Sequence, residues 1–295
     1  MKGISRQRKV WNMSINNKGM IDLHTHTTAS DGSYTPSGLV RYAAAIGLKA
    51  IAITDHDTLD GLPEALKEAE LLELEVVPGV EISVDFQPEM HMLGYFLYGG
   101  YTSMNGILKE LKEKRSERNP KIIKKLNELG MDINMEEIEA LARGGVTGRP
   151  HIARVMIEKG YVVSVAEAFD KYLASGRPAY FPKEKLTPEQ GIEEISKTGG
   201  LPVLAHPIYL DRNETELDLL LENLAKAGLK GIEAYYSENT DDQTKLLLKL
   251  AGRNNLFVTG GSDFHGSFKP DIEIGTGRGN LSIGFELLEI MRQSC

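Results

Sequence analysis

Histidines and acidic residues recur together in four short segments of this 295-residue chain. The segments are Asp22-Leu23-His24-Thr25-His26, Thr54-Asp55-His56-Asp57, Ala205-His206-Pro207 and Ser262-Asp263-Phe264-His265. Each segment falls at the end of a short apolar run. Imidazole combined with carboxylate is typical of zinc, manganese and iron sites, whereas calcium and magnesium sites are built mainly from oxygen. The four segments therefore indicate a site for transition metals.

The spacing within two of these segments favours shared ligands. His24 and His26 are two residues apart at a predicted strand end, so in strand geometry both side chains point to the same side. Asp263 and His265 repeat this spacing at the last predicted strand. Each pair can therefore bind one metal together.

Three further residues complete the predicted ligand set. Glu81 follows the third predicted strand, and its two carboxylate oxygens can bridge two metals. His91 opens or lies within the fourth strand, and Asp31 lies in a loop with Gly32 that can return to the same place. One histidine at a strand end is more often structural, but all seven histidines except His151 fit this pattern, which packing does not readily explain. The predicted metal ligands are His24, His26, Asp31, His56, Glu81, His91, His206, Asp263 and His265, for two or three divalent ions of manganese, zinc or iron.

Alternating strand and helix patterns predict how these residues are brought together. Short apolar runs predict strands at 20–24, 50–54, 75–77, 90–98, 202–205, 231–235 and 257–259. Helical periodicity predicts helices at 35–45, 62–73, 188–197, 214–227, 241–252 and 283–291. This repetition predicts an α/β protein with a mostly parallel sheet. In a β/α barrel the carboxyl ends of the strands meet at one face, where active sites lie, so the histidine segments would share one pocket.

The strand pattern is interrupted between the fourth and fifth strands. Helical patterns follow one another there with no strand between them, so we interpret residues 101–181 as an inserted helical subdomain. Residues 20–100 and 182–295 would then form the barrel domain. Residues 1–19 are polar and basic, which predicts a flexible leader without an export signal.

Composition limits the classes of partner. A formal net charge of -8 argues against a protein that coats DNA or RNA by overall attraction. The single cysteine, Cys295, excludes a disulfide framework. No segment reaches the roughly 18 consecutive apolar residues that a membrane helix needs. We therefore expect a cytoplasmic protein with no membrane partner, and the sequence carries no signal of an oligomeric state.

The four histidine segments, in this order between Met20 and His265, resemble the PHP (polymerase and histidinol phosphatase) family. The resemblance implies a distorted, TIM-like (β/α)7 barrel that holds up to three metals. By similarity, His24, His26, Glu81 and Asp263 would hold one metal, Glu81, His91 and His206 a second, and Asp31, His56 and His265 a third. Some family members have a histidine at the position of Asp31.

Within the family, the chain is most similar to the branch that hydrolyses 3′,5′-nucleoside bisphosphates and trims short RNA from its 5′ end. That branch has a helical insertion with a segment like Gly148-Arg149-Pro150-His151-Ile152-Ala153. The forked guanidinium of Arg149 suits phosphate oxygens, so we expect it to bind the phosphate that is not cut. His151 would assist it, and Arg177 would close the pocket. Alternatively, Arg149 and His151 only cap the helix that begins near Pro150.

The resemblance implies hydrolysis of a phosphate monoester by a hydroxide that bridges two metals. The departing oxygen would receive its proton with help from His206 or Asp57, unless a metal stabilises it directly. Three alternatives remain. The chain could hydrolyse histidinol phosphate or another small monoester, it could be an amidohydrolase that attacks a carbonyl, or it could be an inactive structural PHP module. The full ligand set argues against the last of these.

Overall fold

The computed structural model describes residues 19–294, except 97, 99, 143–146 and 182–184, and it leaves the side chains of 111–117 and 142 undescribed. The leader predicted over residues 1–19 therefore lies, apart from Gly19, outside the described residues. Among the residues that are described, no helix combines the length and the apolar character needed to cross a membrane.

Seven strands form one sheet in the order of the sequence. They are β1 (Ile21–Thr25), β2 (Ala50–Ile53), β3 (Glu75–Val84), β4 (Met90–Tyr95), β5 (Leu201–Leu204), β6 (Gly231–Tyr236) and β7 (Phe257–Gly261). The two edges of this sheet meet, because the N–H of Asp263 donates to the carbonyl of His24 at 2.9 Å and the N–H of His26 donates to that of Phe264 at 3.0 Å. The sheet is a nearly closed barrel, which confirms the predicted distorted (β/α)7 fold.

The close approach of the two edges requires a glycine at the end of β7. A Cβ atom at Gly261 would lie 2.3 Å from the Cβ of His24 and 2.4 Å from its backbone nitrogen. Any side chain there would force β1 and β7 apart. Gly261 therefore allows the first and last histidine segments to face each other.

Helices surround the barrel and fill the insertion. They are α1 (Pro36–Ala45), α2 (Leu62–Ala69), α3 (Asn105–Glu128), α4 (Met135–Ala142), α5 (Arg149–Glu158), α6 (Val165–Ala168), α7 (Pro188–Lys197), α8 (Glu214–Ala227), α9 (Asp241–Asn254) and α10 (Glu286–Gln293). Residues of β2 alternate between two hydrophobic clusters, as expected for a strand covered on both faces. Ile51 and Ile53 pack in the cluster that includes the outer helices, whereas Ala50 and Ala52 pack in the cluster that includes α10.

One strand of the barrel runs against the others. β4 is antiparallel to both β3 and β5, whereas the sequence predicts a mostly parallel sheet. The connection between β3 and β4 is short and contains no helix, which is the connection an antiparallel pair allows. Because β4 is reversed, its amino end lies at the mouth where the other strands have their carboxyl ends. His91, the second residue of β4, is therefore brought to the same mouth.

The helices between β4 and α7 have a hydrophobic core of their own. It is formed by apolar side chains of α3 to α6 and the segments that join them, among them Ile122, Leu126, Ile152 and Met156. The beginning of this segment packs elsewhere, since Leu108 of α3 belongs to the main core of the barrel. The subdomain predicted over 101–181 stays a prediction. Its boundary at 181–182 adjoins residues 182–184, which lie outside the described residues.

Candidate metal centre and phosphate pocket

Glu81 lies at the centre of the predicted ligands. Its side chain is 1% exposed, and its Oε2 atom is 3.2 Å from a ring nitrogen of each of three histidines, His24, His26 and His56. His24 lies within β1, His26 directly follows it, His56 follows β2, and Glu81 lies within β3. Two neighbouring strands therefore direct histidines at one carboxylate oxygen of the third.

The second oxygen of Glu81 faces the other side of the barrel. Its Oε1 atom is 2.8 Å from Nδ1 of His91 on β4 and 2.9 Å from Nε2 of His206 after β5. The two oxygens thus meet different sets of histidines. This arrangement fits the bridging role that the sequence predicts for Glu81.

Two aspartates extend the cluster. Oδ1 of Asp263 is 3.3 Å from Nε2 of His26 and 3.6 Å from Nε2 of His24. Oδ1 of Asp31 is 3.4 Å from Nε2 of His265 and 3.7 Å from Nδ1 of His26. The structure therefore brings all nine predicted ligands together.

The ligand atoms form three overlapping groups, in each of which they lie within 4.8 Å of one another. The groups are His24, His26, Glu81 and Asp263; His56, Glu81 and His91; and His26, Asp31, His56 and His265. The first group is the set that the resemblance implies. The others differ in two respects: His56 rather than His206 accompanies His91, and His26 joins the group of Asp31.

Several nitrogen and oxygen atoms of the cluster are placed to bind a cation rather than to hydrogen-bond with one another. Within the described part of the chain, both ring nitrogens of His26, Nδ1 of His56 and Oδ1 of Asp31 are buried and have no hydrogen-bond partner. In folded proteins the large majority of buried polar side-chain atoms have a hydrogen-bond partner. Here they lie close to carboxylates but are not aligned for hydrogen bonds, as expected where carboxylate oxygens and one nitrogen of each imidazole converge on a metal. The residues thus form a cluster able to hold metal ions.

Unusual backbone conformations occur where the chain leaves three of the strands. Asp57, His206 and Asp263 have φ angles of 53°, 26° and 57°, in or near the left-handed region. Such a conformation costs a non-glycine residue about 1–3 kcal/mol. Their concentration at the mouth of the barrel is typical of sites where side-chain placement takes precedence over stability.

A buried glutamate that the sequence analysis missed supports the histidines from behind. Glu233 of β6 is fully buried, accepts a hydrogen bond from Nδ1 of His24 at 2.9 Å, and accepts another from the N–H of His206 at 2.8 Å. The contact places the proton of His24 on Nδ1 and leaves Nε2 free to bind a metal. A charged residue inside an apolar strand was the available signal, since such a residue is almost never buried unpaired.

The charges of the cluster shift the titration of its members. Burial favours the neutral form of the Glu81 carboxyl, but the charges of His56 and His91 outweigh it and hold its pKa well below the usual value. Burial lowers the pKa of His56 to about 3. In His26 and His91, burial acts in the same direction, but nearby carboxylates prevail and raise each pKa to about 9. Burial also disfavours the charged form of His24, but Glu233 and Glu81 hold its pKa well above the usual value. Metal binding must therefore displace protons from these three imidazoles.

A cavity joins the cluster to the helical insertion. It is lined on the barrel side by Asp31, His56 and His91 and on the side of the insertion by Arg118, Arg149 and Phe169. A molecule in this cavity can therefore contact the metal ligands and Arg149 together.

Arg149 is held in a fixed position within this cavity. Its guanidinium donates to the carbonyl of Leu173 at 3.0 Å, lies 5.4 Å from the ring centre of Phe169, and pairs with Glu89 at 3.0 Å. Its side chain is only 11% exposed. Lys185 also pairs with Glu89, at 2.9 Å. Two cations thus share one carboxylate, and of the two only Arg149 is among the described residues that line the cavity.

The other predicted substrate residues have different surroundings. His151 is buried, and its Nδ1 accepts a hydrogen bond from the N–H of Gly148 at 3.2 Å, which caps the start of α5 as the alternative interpretation expects. Arg177 is 47% exposed and pairs with Asp170 at 2.7 Å. Neither is among the described residues that line the cavity. Their contribution to substrate binding stays a prediction.

The chain matches proteins of known family. The family model for the PHP domain matches residues 22–263. Over 267 residues the chain is 36% identical to the 5′-3′ exoribonuclease Rnm of Escherichia coli, with 89% of this chain and 91% of that protein covered. Over 265 residues it is 31% identical to the 3′,5′-nucleoside bisphosphate phosphatase of Chromobacterium violaceum, with 86% and 90% covered. The solved structure of a candidate metal-dependent phosphoesterase from Bifidobacterium adolescentis is similar with a TM-score of 0.79 and 28% identity, over 93% of this chain and 96% of that one.

Proposed function

The chain belongs to the PHP family and is a metal-dependent phosphoesterase, and from this premise we propose that it removes the 3′-phosphate of 3′,5′-nucleoside bisphosphates and trims short RNA from the 5′ end. The observation that carries the proposal is the shared cavity, which is lined by residues of the metal cluster and by Arg149. A substrate with two phosphates could place one at each end of it. A monoester with a single phosphate would leave Arg149 unused.

We propose that the nine clustered residues hold two or three divalent ions. The groups within 4.8 Å of one another and the buried, unpaired donor atoms support this number. When bound, such metals would lower the pKa of water and neutralise charge on the phosphoryl oxygens. The protein contributes the positions of the ligands, and Glu233 fixes His24 in the required tautomer.

Arg149 would bind the phosphate that is not cut. Its planar fork can donate two parallel hydrogen bonds to phosphate oxygens, and the carbonyl of Leu173 holds the fork in place. In the structure, Glu89 accepts a hydrogen bond from the Arg149 guanidinium. An incoming phosphate must therefore replace Glu89 or share the guanidinium with it. The ring of Phe169 offers an apolar wall to the nucleoside.

In the reaction, the oxygen of water bonds to phosphorus and the bond from phosphorus to the 3′-oxygen breaks. The water loses a proton, and the departing 3′-oxygen gains one. His206 and Asp57 are the proposed residues for this transfer. Nε2 of His206 faces Glu81, whereas Asp57 is fully buried and its Oδ1 lies 3.4 Å from the N–H of Ser83. Nε2 of His206 can hold either a metal or the transferred proton, so its two proposed roles exclude each other at that atom, whereas Asp57 lies outside the proposed ligand set.

Phosphate release from four related substrates tests the proposal. The metal-loaded protein should hydrolyse adenosine 3′,5′-bisphosphate (pAp) with a higher kcat/KM than 3′-AMP, which lacks only the 5′-phosphate. 5′-AMP, which lacks the phosphate to be cut, should be a poor substrate. A preference for histidinol phosphate, or equal hydrolysis of pAp and 3′-AMP, would contradict the proposal.

A further inference from the structure

We propose that Tyr209 forms a stacking site for the nucleoside that follows the scissile phosphate when the substrate is RNA. The inference rests on the function proposed above. With the 5′-phosphate at Arg149 and the next phosphate at the metal cluster, the rest of the RNA must leave on a flank of the cluster outside the cavity. That cavity is lined by Asp31, His56 and His91, but His206 and Asp263 are not among its described lining residues.

Tyr209 lies on this other flank and is exposed. It belongs to a short 3₁₀ turn, Pro207–Leu210, that begins directly after His206. Its ring centre is 5.2 Å from that of His206, and the residue is 43% exposed. Tyr34, another exposed tyrosine, differs because one face of its ring is already stacked on Tyr42. Tyr209 therefore offers an aromatic surface to solvent beside a residue of the metal cluster.

The ring of Tyr209 is held in place by its hydroxyl group. This group hydrogen-bonds to Glu238 and lies 3.1 Å from the hydroxyl of Tyr236. Tyr236 is buried and donates to Oδ2 of Asp263 at 3.0 Å. The ring is thus fixed before any ligand binds, which reduces the entropy that stacking would cost.

The charged groups around this flank are paired with one another. Glu238 pairs with Arg278 at 2.7 Å, and the same guanidinium pairs with Asp271 at 2.9 Å. Lys269, with a side chain that is 36% exposed, pairs with Asp263 of the same flank at 2.5 Å. Stacking on an aromatic ring works with any base. The site therefore suits single-stranded RNA without sequence preference at its second nucleotide.

The reaction on RNA is the hydrolysis described above with a larger phosphate ester. Water adds to the phosphorus between the first two nucleotides, and the bond to the 3′-oxygen breaks. The products are a nucleoside 5′-monophosphate and an RNA shortened by one nucleotide that keeps a 5′-phosphate. The product RNA is thus a substrate again, and a site for the second nucleoside would hold it for the next step.

The test compares pAp with the 5′-phosphorylated dinucleotide pApA and with the same dinucleotide lacking its second base. Tyr209→Ala should lower kcat/KM for pApA about 5- to 150-fold more than for pAp, the range expected for loss of one stacked base. Tyr209→Phe keeps the ring and should retain most of the activity on pApA. The kcat/KM of wild-type protein should be lower by a similar factor for the abasic dinucleotide than for pApA. On the abasic dinucleotide, Tyr209→Ala should lower kcat/KM little further.

Tyr98→Ala is the matched control, because Tyr98 is 70% exposed and its hydroxyl bonds to the carbonyl of Arg292, far from the cluster in the fold. It should leave both substrates unaffected. Equal losses on pAp and pApA in Tyr209→Ala, or a wild type that does not distinguish the abasic dinucleotide, would overturn the inference. Wild-type activity on pAp without activity on pApA would also overturn it while leaving the bisphosphatase function intact. Inactivity on both would instead reject the proposed function.

Discussion

Replacing Arg149 by alanine should separate the hydrolysis of substrates with two phosphates from that of substrates with one. The change removes the guanidinium that lines the cavity but none of the proposed metal ligands; its partner Glu89, which also lies 3.8 Å from Nε2 of His91, stays in place. Hydrolysis of pAp should fall, because its 5′-phosphate loses a charged partner. Hydrolysis of 3′-AMP should stay within about threefold of wild type, since it has no interaction to lose.

The size of the loss follows from the surroundings of Arg149. Its side chain is 11% exposed, so solvent screens the interaction only weakly. A hydrogen bond to a charged group contributes about 1.5–3 kcal/mol. Glu89 already pairs with Arg149 at 3.0 Å. The net gain is therefore the phosphate interaction minus the Glu89 interaction that it replaces, which favours the lower part of that range. A net value of about 1.5–2 kcal/mol corresponds to a loss of about 10- to 30-fold in kcat/KM for pAp.

The assay is phosphate release from pAp and 3′-AMP by both proteins at equal metal content. Arg154→Ala is the matched control, because Arg154 lies on the same helix but is 43% exposed and pairs with Glu158. It should change neither rate. If Arg149→Ala lowers both rates equally, Arg149 supports the fold or the cluster rather than the substrate. If it lowers neither, small monoesters such as histidinol phosphate become the leading substrates.

Two further predictions concern the metal cluster. Glu233→Gln should weaken metal affinity about 10- to 100-fold, because His24 loses its charged acceptor; a competitive chelator titration with unchanged affinity would refute this. Metal binding at pH 7.5 should release about three protons, one each from His24, His26 and His91, because pKa values of about 9 in His26 and His91 and a pKa well above the usual value in His24 keep all three protonated in the metal-free protein. The release should fall as the pH rises through 9, and calorimetry that gives the same heat in buffers of different ionisation enthalpy would contradict it.

The residues of the metal cluster could be predicted from the sequence because all except Asp31 lie within a strand or a few residues after one. Strand ends are marked locally, and parallel strands bring their carboxyl ends to one face. The direction of β4 could not be predicted from the strand pattern alone. The lack of a helix between β3 and β4 was the available sign that the two strands are antiparallel. The length of β3 was also underestimated. Pro78 and Gly79 read as a strand end, yet the carbonyl of Pro78 accepts a hydrogen bond from the N–H of Phe96 and the strand continues to Val84.

The phosphate pocket could be predicted only in part, because its residues are distant in the sequence. Glu89 is 60 residues from Arg149 and 96 from Lys185, and no local pattern connects them. Their contacts depend on how the insertion packs over the barrel. His151 shows the reverse problem, since the sequence allowed both a substrate role and a helix cap, and the structure shows the cap contact to Gly148.

The metal content of the purified protein tests the central claim most directly. The protein would be loaded with manganese or zinc, freed of excess metal by dialysis, and analysed for bound metal and for phosphate release from pAp. Three overlapping ligand groups predict two or more ions per chain, with activity that a chelator removes and added metal restores. Fewer than one ion per chain after loading, or full activity in the stripped protein, would contradict the account.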